Sequence, residues 1–301
     1  MSDAAPLLQR RSLARLNLAL SALCFGLMAV LARKLTLPGM GFTAGHLAVM
    51  RFAVGVLVCL AAFRIWPGMY RPTNYRLLVS RGVSGGLVVV LYFYALARIP
   101  AGEAGIIYNA FPVMATVLSI FLFKERPTTH LLGGILGATL GVGLVLSQGK
   151  LAFHMGLGEA AALAAAFFAA TSANAIRAAR PTENAPTIFF FFSLVGLPVV
   201  LPFALSPWPT ALWPWTVGIA MSLLALAGQV LMAEAYGPLT VAEAAVWLQL
   251  IPVTQYFLAV PLLGEAVTLV GVSGVALTVA GVIYGTVAGR QRRRSDLLEG
   301  A

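Results

Sequence analysis

The chain has 301 residues, of which 60% are hydrophobic and only 10% charged, and its mean hydropathy is +0.90. An ordinary soluble domain is about 25% charged, so soluble, secreted and disordered classes are excluded and an integral membrane protein is expected. The net charge of +10, with both aspartates in the tails at Asp3 and Asp296, reads as basic loops at a membrane face rather than as a nucleic-acid surface. In chain order, apolar runs occupy 16–35, 43–64, 77–97, 103–123, 129–147, 157–179, 187–205, 213–236, 243–262 and 267–288. Each is long enough to cross the roughly 30 Å hydrocarbon layer as a helix. Pro, Gly and charged clusters separate them, among them Pro38-Gly39, Pro67-Gly68, Lys124-Glu125-Arg126-Pro127, Arg180-Pro181 and Gly237-Pro238. The runs lack the two-residue alternation of barrel strands. The predicted fold class is all-α integral membrane, with ten transmembrane helices.

Charge placement orients the chain. With the N-terminus in the cytoplasm, 15 Lys and Arg fall on the cytoplasmic side or its flanks, Arg81 among them. The opposite side holds 4, namely Arg33, Lys34, Arg98 and Lys150, and Arg51 lies within a span. The bias predicts both termini inside and an even number of spans. Arg10-Arg11 precedes an apolar run, but no small-residue cleavage site follows, so it reads as a flank rather than an export signal. Cys24 and Cys59 lie inside apolar runs, and His46, His130 and His154 are scattered. Neither a disulfide framework nor a metal site is expected.

The chain repeats itself. Residues 101–125 read AGEAGIIYNAFPVMATVLSIFLFKE, and residues 241–265 read VAEAAVWLQLIPVTQYFLAVPLLGE. Glu103, Pro112 and Glu125 recur as Glu243, Pro252 and Glu265, displaced by 140. Ala95, Gly134 and Gly141 return at the same offset as Ala235, Gly274 and Gly281. Residues 16–148 and 156–288 then form two units of five spans, between a cytoplasmic tail at 1–15 and a basic cytoplasmic tail at 289–301. An odd number of spans per unit inverts the second copy, which is the architecture of many secondary transporters, with the site near the midplane.

These features resemble the EamA family of the drug/metabolite transporter superfamily. The resemblance is carried by Glu103, Pro112, Glu125-Arg126, Gly134, Gly141, their repeat partners, and Arg51-Phe52. It implies a central cavity lined by the first four helices of each half, with the fifth and tenth outside. It also implies a carrier of the bacterial inner membrane that exports amino acids or related amphipathic metabolites. Uptake or exchange of a nucleoside-type cofactor is the alternative. The second half has no basic residue in its membrane core, which departs from members that bind phosphate-bearing solutes.

Pro112 and Pro252 stand mid-span, where each removes an N–H and frees a carbonyl. They are candidate hinges, or passive kinks. Glu103, Glu234 and Glu243 are candidates for proton coupling, or for helix-end and structural roles. The candidate cavity residues are Ser21, Cys24, Arg51, Tyr92, Tyr108, Asn109, Asn174, Gln229, Trp247 and Gln249, with interhelical hydrogen bonding as the alternative for each. Arg51 is read as holding a substrate carboxylate, pairing with Glu103 or Glu234, or snorkelling. The spaced glycines Gly133, Gly137 and Gly141, with Gly281 and Gly285, predict close packing of the fifth and tenth helices or a homodimer contact. Gly82-Val83-Ser84-Gly85 matches a short pattern seen around intramembrane protease serines, so Ser84 is a distant enzymatic alternative. Without a histidine base inside a span it reads as helix packing. No phosphate-binding loop or cofactor motif occurs. The expected partners are a small-molecule solute and the lipid bilayer, with no cofactor, metal or nucleic acid.

Overall fold

The computed structural model describes residues 4–96, 98, 101–147, 156–264 and 266–299, with side chains left undescribed at 4–8, 96, 101–103 and 288–299. Among the described residues there is no strand, and ten helical spans are long and apolar enough to cross a membrane. Twelve α-helices make them: α1 (Ala4–Leu35), α2 (Ala44–Ile65), α3 (Tyr75–Leu96), α4 (Ala101–Tyr108), α5 (Phe111–Phe123), α6 (Thr129–Ser147), α7 (Leu157–Ala179), α8 (Ala185–Val200), α9 (Leu212–Ala235), α10 (Val241–Leu248), α11 (Leu250–Leu263) and α12 (Leu269–Glu299). The fourth span is α4 with α5, and the ninth is α10 with α11.

Both broken spans break at the same place in the repeat. The first helix ends at Tyr108 and the next starts at Phe111, with Asn109 and Ala110 between them; the second copy breaks at Gln249 alone. Asn109 and Gln249 are 140 residues apart. The prolines stand just beyond, inside the first turn of α5 and α11. There a missing N–H costs little, because first-turn N–H groups have no intrahelical acceptor. The interruption therefore lies one turn before each proline rather than at it. A second correspondence is in the backbone. Lys124 ends α5 with φ 55°, and its counterpart Gly264 ends α11 with φ 69°. Both copies close the helix with a left-handed residue, the usual αL cap, although the first copy uses a lysine that tolerates this conformation poorly.

The two copies meet along α6 and α12, which run antiparallel as an inverted repeat requires. The glycines of each face the backbone of the other. A Cβ at Gly134 would stand 2.6 Å from the Gly285 Cα and 2.7 Å from the Gly281 oxygen, and one at Gly281 would stand 2.8 Å from the Gly134 oxygen. Midway, the Thr278 hydroxyl points at the carbonyl of Ala138, its own repeat counterpart, at 3.5 Å while bonding Gly274 O at 2.8 Å. Gly134, Gly141, Gly274 and Gly281 are thus packed within one chain.

One membrane face, here the basic face, carries the start of α1 and the loops 66–74, 124–128, 180–184 and 236–240. Helix α1 begins earlier than the apolar run, so Arg11 and Arg15 ride on helix and reach the start of α10. On the opposite face, Thr43 caps α2 by accepting from His46 N, while His46 Nδ1 accepts from Thr43 N. His46 also stacks on Trp208, with ring centroids 4.3 Å apart, and Trp208 stacks on Trp215 at 5.4 Å. This tryptophan cluster stands where aromatic rings anchor helices at a membrane interface.

The close backbone approach predicts that Gly134→Val costs about 1–3 kcal/mol by overpacking. Thermal unfolding of the detergent-solubilised protein should show a lower midpoint; an unchanged midpoint would contradict the α6–α12 contact.

Candidate functional site

Two guanidinium groups sit at membrane depth between the halves. Arg51 is eight residues into α2, and Arg81 is seven residues into α3 from the other face. Both flank the same ring: the guanidinium carbon is 4.0 Å from the Phe192 centroid for Arg81 and 5.8 Å for Arg51. Phe192 comes from α8, in the second half, so the site bridges the repeats. A cation over an aromatic face gains about 0.5–2 kcal/mol, which offsets only part of the cost of burying a charge.

Arg81 is 4% exposed. Its Nη1 donates to the Ser172 hydroxyl on α7, and its Nη2 donates to Gln229 Oε1 on α9 at 2.9 Å. Its Nε is buried without an acceptor. Arg51 keeps partial exposure, and its Nε is also buried without an acceptor. No ion pair among the described residues joins either arginine to a carboxylate. A guanidinium has five donors; Arg81 uses two of them on described residues and Arg51 uses none. The arrangement is a pair of fixed positive charges with unused donors in a site bounded by aromatic groups. Tyr92 and Tyr108 pair with ring centroids 4.9 Å apart, and Tyr108 meets Phe111 at 5.5 Å.

The sequence reading placed Arg81 among the cytoplasmic flanks. That is corrected here: Arg81 is as deep as Arg51, and fourteen basic residues rather than fifteen remain on the basic face. Phe192 and Ser172 were also missed. The available signal was an arginine inside an apolar run, beside glycines. Gly85 is what lets Arg81 fold back, since a Cβ there would be 2.3 Å from the Phe192 ring and 2.6 Å from Arg81 Nη1.

The other candidates divide. Arg51, Gln229, Tyr92 and Tyr108 belong to the region just described. Ser21 Oγ donates to Gly228 O at 2.8 Å and joins α1 to α9. Asn174 Nδ2 donates to Ala115 O and Ala170 O, joining α7 to α5. Gln249 Nε2 donates to Thr139 Oγ1 at 2.6 Å, joining the break to α6. Asn109, at the other break, is buried with Nδ2 unpaired. Cys24 is a half-buried free thiol on α1. Trp247 stands away from the arginines, lining a groove toward the basic face with Ser12, Arg15 and Thr286.

Three glutamates pair with arginines at the basic face, and Glu183 is held there by backbone N–H groups. Glu243 accepts from Arg11 Nη2 at 2.6 Å, has Arg15 at 3.6 Å, and closes a capping box with Thr240 at the start of α10. Glu234 pairs with Arg180 at 2.7 Å rather than with Arg51. Glu125 faces Arg177 at 3.6 Å and accepts from Val241 N at 3.2 Å. Glu183 Oε1 accepts from Thr73 N and Asn74 N ahead of α3, at 2.8 and 2.6 Å. Three of these four clusters join one half to the other. The side chain of Glu103 lies outside the described residues. No group of three His, Cys, Asp or Glu that could hold a metal occurs among the described residues.

Ser84 is accounted for by packing. Its hydroxyl donates to Ser80 O at 2.7 Å on its own helix, while Gly82 and Gly85 admit Phe191, Val195 and Phe192 of α8. Ser84→Ala should leave transport unchanged. Gly85→Ala, by contrast, should cost about 1–3 kcal/mol of stability through overpacking and displace Arg81. Thermal unfolding and a solute-flux assay on both variants check this contrast; equal behaviour of the two would contradict it.

The model of the EamA-like transporter family matches residues 13–147 and again 156–286. The chain is 27% identical over 221 residues to the pseudopaline exporter of Pseudomonas aeruginosa, covering 72% of this chain and 76% of that protein. It is 28% identical over 189 residues to the threonine/homoserine exporter of Escherichia coli, covering 61% of each. A solved crystal structure superposes with a TM-score of 0.79 at 22% identity, over 93% of this chain and 98% of its own, which establishes the shared fold. The chain is a multi-pass membrane transporter and belongs to the EamA-like family of the drug/metabolite transporter superfamily.

Proposed function

We propose that this chain is a secondary-active exporter of amino acids or related amphipathic metabolites, working by alternating access in a bacterial inner membrane with both termini cytoplasmic. The observation that carries the reading is the Arg51–Arg81 pair, charged at membrane depth between the halves and matched by no described carboxylate. Intramembrane charges of this kind mark solute paths, and a carboxylate-bearing solute supplies the missing counter-charge. The relatives named for the export of threonine, homoserine and pseudopaline support the direction. The fourteen-to-four basic asymmetry supports the orientation.

In this reading the basic face is the closed cytoplasmic gate. Opening it separates Glu243 from Arg11 and Glu125 from Arg177, while the breaks at Asn109 and Gln249 let α4 and α10 swing against α5 and α11. Pro112 and Pro252 keep those breaks from annealing into continuous helix, because neither can donate the N–H that would close the preceding turn. Conformational steps of this type limit the turnover of many proteins.

In proteoliposomes containing the purified protein, Pro112→Ala and Pro252→Ala should each slow counterflow of a transported amino acid several-fold while leaving membrane insertion intact. Wild-type rates in both single variants and in the double variant would sink the hinge assignment. Absence of counterflow with every amino acid and amino-acid derivative tested would sink the export reading.

A further inference from the structure

Export of an amino-acid-type solute leaves its charge pattern open, and the site narrows it. We infer that the solute carries two carboxylates and is net negative, each carboxylate taken by one of the two guanidinium groups that flank Phe192. This rests on the export reading and deepens it.

Arg81 spends two of its five donors on Ser172 and Gln229, which fix its plane rather than neutralise it, since neither partner is charged. Arg51 spends none on described residues. Both Nε atoms are buried and unpaired. Breaking or omitting the partner of a buried charge is strongly unfavourable, so a solute with one carboxylate leaves one of the two guanidiniums uncompensated. Two carboxylates supply four acceptor oxygens for the unused donors and bring the charge to zero. The same site treats an ammonium group poorly: no described carboxylate pairs with either arginine, and the glutamates with described side chains are engaged at helix ends by arginines or backbone N–H groups. Bidentate geometry favours carboxylate over halide or neutral amide on each guanidinium. The shared ring sets the span, since both cations sit on Phe192 and one short molecule reaches both.

The test uses the full chain purified in detergent and in proteoliposomes, with threonine, glutamate and glutarate as probes. Calorimetric titration should give glutamate and glutarate affinities at least tenfold tighter than threonine. Arg51→Gln and Arg81→Gln should each erase most of that advantage while changing threonine binding far less, and Arg81→Lys should restore part of it. Size-exclusion elution and unfolding midpoints identify variants that fail to fold, and the wild-type ladder decides the question without them. Threonine binding as tightly as glutarate overturns the inference and leaves export of amino acids standing. Tight glutarate binding with no counterflow of any probe supports the two-carboxylate site and counts against the export reading.

Discussion

Two positive charges held in a low-dielectric interior without a counter-charge among the described side chains are the constraint around which this transporter is arranged. Each guanidinium carries a desolvation cost of several kcal/mol. The fold meets part of it with a phenyl face, a serine hydroxyl and a glutamine oxygen. Each of those comes from a different helix of the second half: α8, α7 and α9. The arginines themselves come from the first half. The site therefore exists only while the halves are apposed, and its chemistry is coupled to their packing. Gly85 shows how narrow the tolerance is, since one methyl would occupy the space of both the ring and the cation.

Among the many helix contacts between the halves, two differ in physical character. Along α6 and α12 the backbones touch through glycines, with Ala138 and Thr278 meeting at the pseudo-symmetry point. Nothing there needs to be charged or hydrated, so the contact suits a persistent axis. At the basic face the contact is ionic, made of Arg11, Arg15, Glu243, Glu125 and Arg177 near the headgroup region. Such pairs can exchange protein partners for water at modest cost. An apolar, close-packed contact and an exchangeable polar one are compatible with the proposed rocking of one half about the other.

How much of this was legible in the sequence varied with the range of the interaction. Ten spans and the offset of 140 were plain because hydropathy and repeats are local. The helix breaks were foreseen one turn late, since proline marks the place but its ring is tolerated in a first turn, which moves the interruption to Asn109 and Gln249. Counting basic residues by loop put Arg81 at the surface, because its apolar run begins only four residues earlier; which face of α3 it occupies depends on Phe192, over a hundred positions away. Ser21, Asn174 and Gln249 were polar at membrane depth for a structural reason, bonding carbonyls or a hydroxyl on neighbouring helices. The arginine partners of Glu243 and Glu234, Arg11 and Arg180, are long-range contacts that no local pattern supplies. The glycine faces were readable as packing faces of the fifth and tenth helices, and the structure sets them against each other.

The account stands on the claim that Arg51 and Arg81 are completed by the solute and not by the protein. The most direct measurement is an experimental structure of the full chain with a bound dicarboxylate such as glutarate. The account predicts one carboxylate against each guanidinium, with Phe192 between them and Gln229 still on Arg81. Density for the ligand elsewhere, or either arginine paired with a protein glutamate in the bound state, would contradict it.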